Sequence, residues 1–225
     1  MKFDMSKKKN FFSSLHNLSK RNYLGRMNKD KPYASDIAQK FEKDYWDGDK
    51  KFGYGGYQYI PNRWTNFAKK LIKNYKLNNN SKLLDIGCGK GFLLADIKKI
   101  LPDISLTGYD ISKYAKKNAH ISIKRNIFNI RAQDKYLFGD NEVDLLISMG
   151  TLHNLEIFNL EKAFKEINRV SKKSYIWVES YRNSKELFNL QCWALTCKSF
   201  YTPDEWLWIF KKFNYRGDYE FIFFK

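Results

Sequence analysis

The sequence has few cysteines and no long apolar run. Three cysteines, Cys88, Cys192 and Cys197, occur in 225 residues, too few for a disulfide framework, and this usage favours a reducing compartment. No apolar stretch approaches ~18 residues, so no transmembrane helix is predicted. No group of His, Cys, Asp and Glu has the spacing of metal ligands, so we expect no metal. These features predict a cytoplasmic protein that does not enter a membrane.

Arginine is scarce beside lysine, although the chain is strongly basic. The formal net charge is +17, and it is carried by 33 Lys and only 8 Arg among the cations. Most of the excess lies in the first 80 residues, and residues 51–80 contain six basic and no acidic side chains. A basic surface is typical of nucleic-acid binding, but planar, bidentate phosphate recognition favours Arg. The positive charge therefore has two open explanations, a functional basic surface and a composition set by A+T-rich codons.

Composition and pattern change near residue 80. We predict an N-terminal arm and helical lid over residues 1–80 and a single α/β domain over residues 81–225. Residues 1–33 have weak periodicity and are either a flexible arm or helices packed on the domain. The first part is further predicted to contain a helix over 35–46 with Ser35 as N-cap, a Gly/Tyr-rich loop over Asp47–Pro61 and an amphipathic helix over 62–75.

From Lys82 onward, short apolar segments alternate with helical patterns. Strands are predicted over residues 82–87, 105–110, 126–132, 143–150, 174–180 and 218–224. Helices are predicted over residues 90–101, 112–121, 160–170 and 202–213, the last opened by a Thr202–Glu205 capping box. Such alternation is typical of a parallel sheet with right-handed crossovers. The fold class predicted is therefore α/β, a Rossmann-like, doubly wound and mostly parallel sheet with an N-terminal helical extension.

A glycine-rich turn, Gly87-Cys88-Gly89-Lys90-Gly91, joins the first strand to the first helix of this domain. Glycines let the backbone approach a ligand closely, although a merely tight turn is the alternative for these residues alone. Asp110 ends the second strand, 21 residues after Gly89, where a carboxylate can accept both hydroxyls of a ribose. Gln133 and Asp134 follow the third strand, where they can meet the edge of an adenine.

The segment Leu83–Leu93, LLDIGCGKGFL, together with Asp110, resembles the first motif of the class I S-adenosylmethionine (SAM) dependent methyltransferases. The resemblance covers Lys82 to Lys225 and implies SAM as the cofactor. It implies that Asp85 and the glycines line the methionine end of SAM, that Asp110 binds the ribose and that Asp134 binds the adenine amine. The cofactor-binding residues it implies in this domain are Asp85, Gly87, Cys88, Gly89, Gly91, Asp110, Ile111, Gln133, Asp134 and Ser148.

The end of the chain departs from this family. Its members usually close the sheet with an antiparallel hairpin of two strands, but few residues follow Gly217 here. Either one strand of the hairpin is missing, or the segment Cys192–Phe200 supplies another element.

Residues after the fourth and fifth strands are candidates for chemistry on the acceptor. Amino-methylating nucleic-acid enzymes of this fold carry Asn/Asp-Pro-Pro-aromatic where this chain has Ser148-Met149-Gly150-Thr151, which argues against base amines as acceptors. His153 is a candidate general base beside the methyl group, the alternative being that it caps a helix or packs under SAM. Glu179 is a candidate second base or substrate anchor, the alternative being a salt bridge at the strand end.

The Gly/Tyr-rich loop is a candidate lid over SAM and substrate. We expect Tyr57 to take part in catalysis, Tyr59 to contact the cofactor and Arg63 to reach a carboxylate, such as that of the methionine moiety. Packing of the loop against the helix of Trp64 is the alternative. Tyr181 and Arg182 are candidates for binding an anionic substrate.

These observations predict a SAM-dependent methyltransferase that acts on a small metabolite. The acceptor is a sugar or another hydroxylated molecule, with an anionic acceptor among the options. An RNA or protein methyltransferase that uses the basic N-terminal region, and a non-catalytic SAM-fold binding protein, are the alternatives. The partner expected is thus a small molecule, with nucleic acid less favoured and no membrane, and the oligomeric state is left open.

Overall fold

The computed structural model describes residues 6–16 and 21–225. Predictions for residues 1–5 and 17–20 lie outside this range. In the described part of residues 1–33 the chain forms short helices that pack on the domain. The helices of the N-terminal part are α1 (Ser13–His16), α2 (Tyr23–Met27), α3 (Lys31–Ala38), α4 (Lys43–Asp47) and α5 (Thr65–Tyr75).

The prediction of one helix over residues 35–46 is wrong. The chain forms α3 and α4 instead, and between them Phe41 adopts a φ of 51°, a left-handed conformation that a helix cannot contain. Ser35 lies inside α3, which begins after Asp30, and its hydroxyl donates to the carbonyl of Leu195. The helix predicted over residues 62–75 is confirmed as α5, with a later start because Asn62 also has a positive φ.

The rest of the described chain alternates between strands and helices. The strands are β1 (Lys82–Ile86), β2 (Ser105–Tyr109), β3 (Ile127–Phe128), β4 (Leu145–Met149), β5 (Ser174–Glu179) and β6 (Asp218–Ile222). The helices are α6 (Phe92–Ile100), α7 (Lys113–Lys117), α8 (Ile157–Val170), α9 (Ser184–Trp193) and α10 (Pro203–Lys212). The capping box of α10 is confirmed, whereas α9 was not predicted.

Within the described residues, all six strands are parallel and lie in the order β3-β2-β1-β4-β5-β6. The α/β, doubly wound fold class is therefore confirmed. Both faces of the sheet are apolar, as the uninterrupted apolar runs predict. Leu84 and Leu146 pack against α8 and α10 on one face, and Leu83 and Leu145 pack against α5 and α6 on the other.

The N-terminal segment forms the outer neighbour of β6. Lys8 makes a parallel bridge with Tyr219, the N–H of Lys9 donates to the Tyr219 carbonyl at 2.8 Å, and the Tyr219 N–H donates to the Lys7 carbonyl at 3.2 Å. Residues 192–200 end α9 and continue as a loop, so they add no strand to the sheet. The N-terminal segment, and not residues 192–200, therefore covers the edge of the sheet that the sequence left open, and it lies parallel to β6.

The side chain of Glu220 fixes the same segment to β6. Glu220 is 1% exposed, and its carboxylate accepts the backbone N–H groups of Phe11, Phe12 and Ser13 at 2.7–3.2 Å. It also accepts the Ser13 hydroxyl and the Tyr175 hydroxyl at 2.6 Å. A carboxylate at the N-terminus of α1 satisfies donors that a helix start leaves unpaired.

The part of the chain that the structure describes contains no helix with the length and apolar content that crossing a bilayer requires.

Candidate active site

A crevice opens at the carboxyl ends of β1 and β4. The strand order reverses there, since β2 lies on one side of β1 and β4 on the other, and open α/β sheets bind ligands at such switch points. Two adjoining cavities of about 290 and 520 Å³ occupy this crevice, sizes in the range of small-molecule sites. The residues that line both cavities are Tyr45, Trp46, Tyr54, Gly87, Met149, Gly150 and Thr196.

The glycine-rich turn is held in a conformation that only glycine adopts easily. Gly87 and Gly91 have φ values of 77° and 69°, and a Cβ atom on Gly87 would lie 1.9 Å from the hydroxyl of Thr151. Next to them, Lys90 is buried and its ammonium donates to both oxygens of Asp47, at 2.6 and 2.8 Å, and to the Tyr57 carbonyl at 2.8 Å. The turn is thereby tied to the N-terminal part of the chain.

Asp110 is buried between the glycine-rich turn and α7. Its Oδ2 accepts the Gly89 N–H at 2.7 Å and its Oδ1 accepts the Ser112 N–H at 2.8 Å. Burial raises the pKa of Asp110 to about 6, against the lowering effect of these hydrogen bonds. Asp110 lines the smaller cavity together with Ile111 and Gln133. Because a carboxylate oxygen accepts more than one hydrogen bond, Asp110 can still accept from a ligand.

Asp85 brings an unsatisfied carboxylate to the larger cavity. It is 2% exposed, and its Oδ1 has no hydrogen-bond partner among the residues described. Burial, and after it the charge of Asp110, raise the pKa of Asp85 to about 8. Buried polar atoms are nearly always paired, so an orphan oxygen that borders a cavity indicates a missing partner. A cationic group of a ligand would supply it and would lower this pKa.

His153 and Glu179 meet at the other side of the larger cavity. The N–H of Glu179 donates to His153 Nδ1 at 3.3 Å, so the neutral imidazole carries its proton on Nε2. His153 Nε2 lies 3.4 Å from Glu179 Oε2, without the alignment of a hydrogen bond. Burial lowers the pKa of His153 to about 3 and raises the pKa of Glu179 to about 7, which Arg21 opposes.

The predicted lid residues are divided between the cavity and its outer wall. Tyr57 and Arg63 line the larger cavity, and the guanidinium of Arg63 has no hydrogen bond or ion pair with any residue in the described ranges. Burial raises the pKa of Tyr57, so its phenol stays protonated and can donate but not act as a base. Tyr59 lines neither cavity, because its hydroxyl bonds to Asp96 and accepts from Lys99 at 2.7 Å.

Several other predicted residues lie elsewhere. Asp134 is exposed and accepts the Arg131 N–H at 3.1 Å, because β3 is only two residues long and the turn after it directs this carboxylate outward. Ser148 is buried under the crevice and donates to the Ile86 carbonyl at 3.1 Å. Gly91 caps α6, and Arg182 pairs with Glu186. These four residues line neither cavity, whereas Cys88 and Gly89 line the larger one.

The N-terminal segment supplies site residues that the sequence did not reveal. Phe12, His16, Arg21 and Arg26 line the larger cavity, as does Trp177 of β5. The weak periodicity of residues 1–33 left open whether they pack on the domain, and the Glu220 contacts that hold the segment come from the far end of the chain. One usable signal was the position of the scarce arginines, two of which lie in this segment.

The sequence is similar to known methyltransferases. Residues 77–214 match the family model described as "Methyltransferase domain". The chain is 35% identical over 89 residues to ribosomal RNA small subunit methyltransferase C of Buchnera aphidicola, covering 39% of this chain and 26% of that protein. It is 27% identical over 146 residues to ubiquinone biosynthesis O-methyltransferase of Pelagibacter ubique, covering 61% and 59%. The chain thus spans between a quarter and three fifths of these curated relatives.

A solved structure shows the same fold. The crystal structure of geranyl diphosphate C-methyltransferase from Streptomyces coelicolor, solved with Mg²⁺, geranyl diphosphate and S-adenosyl-L-homocysteine, matches with a TM-score of 0.53 and 14% identity. The match covers 64% of this chain and 58% of that chain.

Proposed function

The chain belongs to the methyltransferase-domain family, and from this premise we propose that it transfers the methyl group of SAM to a small hydroxylated acceptor. The observation that carries the proposal is the pair of adjoining cavities at the ends of β1 and β4. The smaller one is lined by Asp110. The larger one is lined by Glu179 and by Asp85, whose Oδ1 has no hydrogen-bond partner among the described residues.

The residues that line the crevice offer the polar and charged groups that SAM requires. Asp110 would accept the ribose hydroxyls, with Ile111 and Gln133 beside the adenine. The free oxygen of Asp85 would accept the ammonium of the methionine moiety, and Arg63 would pair with its carboxylate. SAM supplies a methyl group already activated on a sulfonium, so the protein's task is mainly to position the acceptor and exclude water.

Glu179 is the better candidate for the base that removes the acceptor's proton. Glu179 lines the larger cavity, and its Oε2 is buried without a hydrogen-bond partner among the described residues. A pKa of about 7 suits proton transfer near neutral pH. His153 has its Nδ1 lone pair directed at a backbone N–H, and its lowered pKa makes it a poor base. We therefore place His153 as a positioning residue that holds Glu179, and Tyr57 as a donor.

A small acceptor is favoured over RNA or protein because the N-terminal segment helps to enclose the larger cavity. Phe12 and Arg26 form part of its wall, and the exposed lysines that carry most of the positive charge lie outside it. A basic surface alone gives salt-dependent, nonspecific binding. The similarity to a ribosomal RNA methyltransferase covers 89 residues and leaves the substrate class open.

The test is release of S-adenosylhomocysteine (SAH) from SAM in the presence of small hydroxylated acceptors, RNA or protein. We expect turnover with small acceptors and a rate that rises with pH through about 7, as Glu179 ionises. Glu179→Gln should lower this rate at least ~10²-fold and keep SAH affinity. The control Glu161→Gln, at a partly exposed side chain outside both cavities, should match the wild type. Turnover with RNA or protein only would contradict the proposal.

A further inference from the structure

The larger cavity is lined by arginines although the chain contains few of them. Three of the eight arginines, Arg21, Arg26 and Arg63, line this cavity, and none of the lysines in the described ranges does. Lysines outnumber arginines about fourfold in the sequence, so chance placement would favour lysine. The planar guanidinium differs from an ammonium in matching carboxylate and phosphate oxygens with two parallel hydrogen bonds.

The charges in the cavity are not balanced by the cofactor. Asp85 and Arg63 are matched by the ammonium and the carboxylate of the methionine moiety. Arg21 and Arg26 would then remain, together with the sulfonium that SAM would supply, and Glu179 is the remaining acid in the described lining. His16 adds no charge, since burial and the neighbouring Arg21 lower its pKa to about 4. An excess of positive charge beside the acceptor's position favours an anionic acceptor.

Arg26 is fixed with its guanidinium toward one wall. Its Nε donates to the Trp193 carbonyl at 2.9 Å and its Nη1 to the Lys50 carbonyl at 3.2 Å, and it lies 4.6 Å from the centre of the Trp193 ring. Arg21 lies over the same ring at 5.5 Å. Arg21 also donates to the His16 carbonyl at 3.3 and 3.4 Å and contacts His16 Nδ1 at 3.2 Å. Both guanidinium groups are therefore held in place beside one indole, an arrangement that suits a planar anion. The second terminal nitrogen of Arg26, Nη2, has no hydrogen-bond partner within the described residues.

Aromatic side chains dominate the rest of the wall. Ten of the 31 lining residues are Phe, Tyr or Trp, about twice the 17% of the whole chain. Phe12 stacks on Trp177 with ring centres 4.9 Å apart, and the indole N–H of Trp177 is buried without a partner among the residues described. Flat aromatic walls with a free donor suit a ring that carries an oxygen substituent.

On these grounds we infer that the acceptor is an aromatic molecule with a hydroxyl and an anionic group, and that Arg21 and Arg26 bind the anionic group. The inference rests on the proposed function and narrows its substrate class. The anion is a carboxylate or a phosphate, since both accept the arginine fork.

The test is calorimetric titration into the SAH-saturated protein. The probes are 3,4-dihydroxybenzoate, its neutral isostere 3,4-dihydroxybenzamide, and phenyl phosphate. We expect one of the two anions to bind at least ~10-fold more tightly than the amide, because charge-assisted hydrogen bonds are the strongest of their kind. The anion that binds more tightly identifies carboxylate or phosphate as the group recognised.

Variants connect the preference to the two arginines. Arg21→Gln and Arg26→Gln should each weaken the preferred anion at least ~10-fold and leave the amide and SAH unchanged. Arg26→Lys, which keeps the charge but loses the fork, should fall between wild type and Arg26→Gln. The control Arg125→Gln, on an exposed side chain outside both cavities, should match the wild type.

Equal binding of the anions and the amide, or anion binding that survives both Gln variants, would overturn the inference while SAH binding upholds the proposed cofactor site. If the wild type does not bind SAH, the proposed function itself is overturned. Unchanged SAH affinity in the variants shows that each remains folded.

Discussion

The attachment of the N-terminal segment through Glu220 can be tested by removing one carboxylate. Glu220→Ala deletes the acceptor of the Phe11, Phe12 and Ser13 N–H groups and of the Ser13 and Tyr175 hydroxyls. Each hydrogen bond to a charged acceptor contributes about 1.5–3 kcal/mol, and such contributions are not additive within one cluster. Breaking a buried charged cluster by removing one partner costs about 3–5 kcal/mol.

This loss should appear first as local detachment of residues 7–16. A free energy of about 3 kcal/mol corresponds to roughly two orders of magnitude in the opening equilibrium. Native-state hydrogen exchange should therefore show the Phe11, Phe12 and Ser13 amides exchanging at least ~10²-fold faster in Glu220→Ala, with the amides of β1 and β4 unchanged. Glu220→Gln should give a smaller effect of the same kind, because one oxygen still accepts.

The control is Glu161→Ala, a partly exposed residue of α8 with an i,i+4 contact to Lys165. If the amides of residues 7–16 keep their protection from hydrogen exchange in Glu220→Ala, then Glu220 does not hold the N-terminal segment in place. Since the N-terminal segment places Phe12 and Arg21 in the wall of the larger cavity, Glu220→Ala should weaken acceptor binding more than SAH binding.

Two further predictions concern the crevice. Gly87→Ala should lower the free energy of unfolding by about 2–4 kcal/mol, measured by chemical denaturation, because its Cβ would meet Thr151 at 1.9 Å in addition to the cost of a positive φ. Gly56→Ala, with a φ of 104° and no atom within 4 Å of its Cβ, is the matched control, and equal losses would exclude the clash. Since the pKa of Asp85 is about 8 when folded and ordinary when unfolded, the ligand-free protein loses stability from this group as pH rises from about 4 to 8. Asp85→Asn should therefore gain melting temperature relative to wild type across that range, and a constant difference would contradict the raised pKa.

The central part of the site was predictable because its signals are local. The strand, the glycine-rich turn and the helix follow one another in the chain, and Asp110 is placed beside Gly89 by parallel pairing of β1 and β2. A strand end also marked Glu179. Burial lowers the pKa of His153 and raises that of Glu179, which makes the carboxylate, rather than the imidazole, the better candidate for a base.

Other features depend on contacts between distant residues. The arm docks because Glu220 accepts its N–H groups across more than 200 residues of sequence, and nothing near Phe12 indicates this. The family resemblance implies that Asp134 binds the adenine amine, but its neighbour Gln133 lines the smaller cavity instead. In the Gly/Tyr-rich loop, Tyr57 lines the larger cavity, whereas the Tyr59 hydroxyl bonds to Asp96 of α6.

The most direct test of the whole account is calorimetric titration of SAH into wild type, Asp110→Asn and Asp134→Asn. The predicted outcome is binding by the wild type, at least ~10-fold weaker binding by Asp110→Asn, because charge-assisted hydrogen bonds to the ribose are lost, and unchanged binding by the exposed Asp134→Asn. Equal affinity of all three proteins, or weakening by Asp134→Asn alone, would contradict the placement of the cofactor's ribose beside Asp110 in the crevice at the ends of β1 and β4.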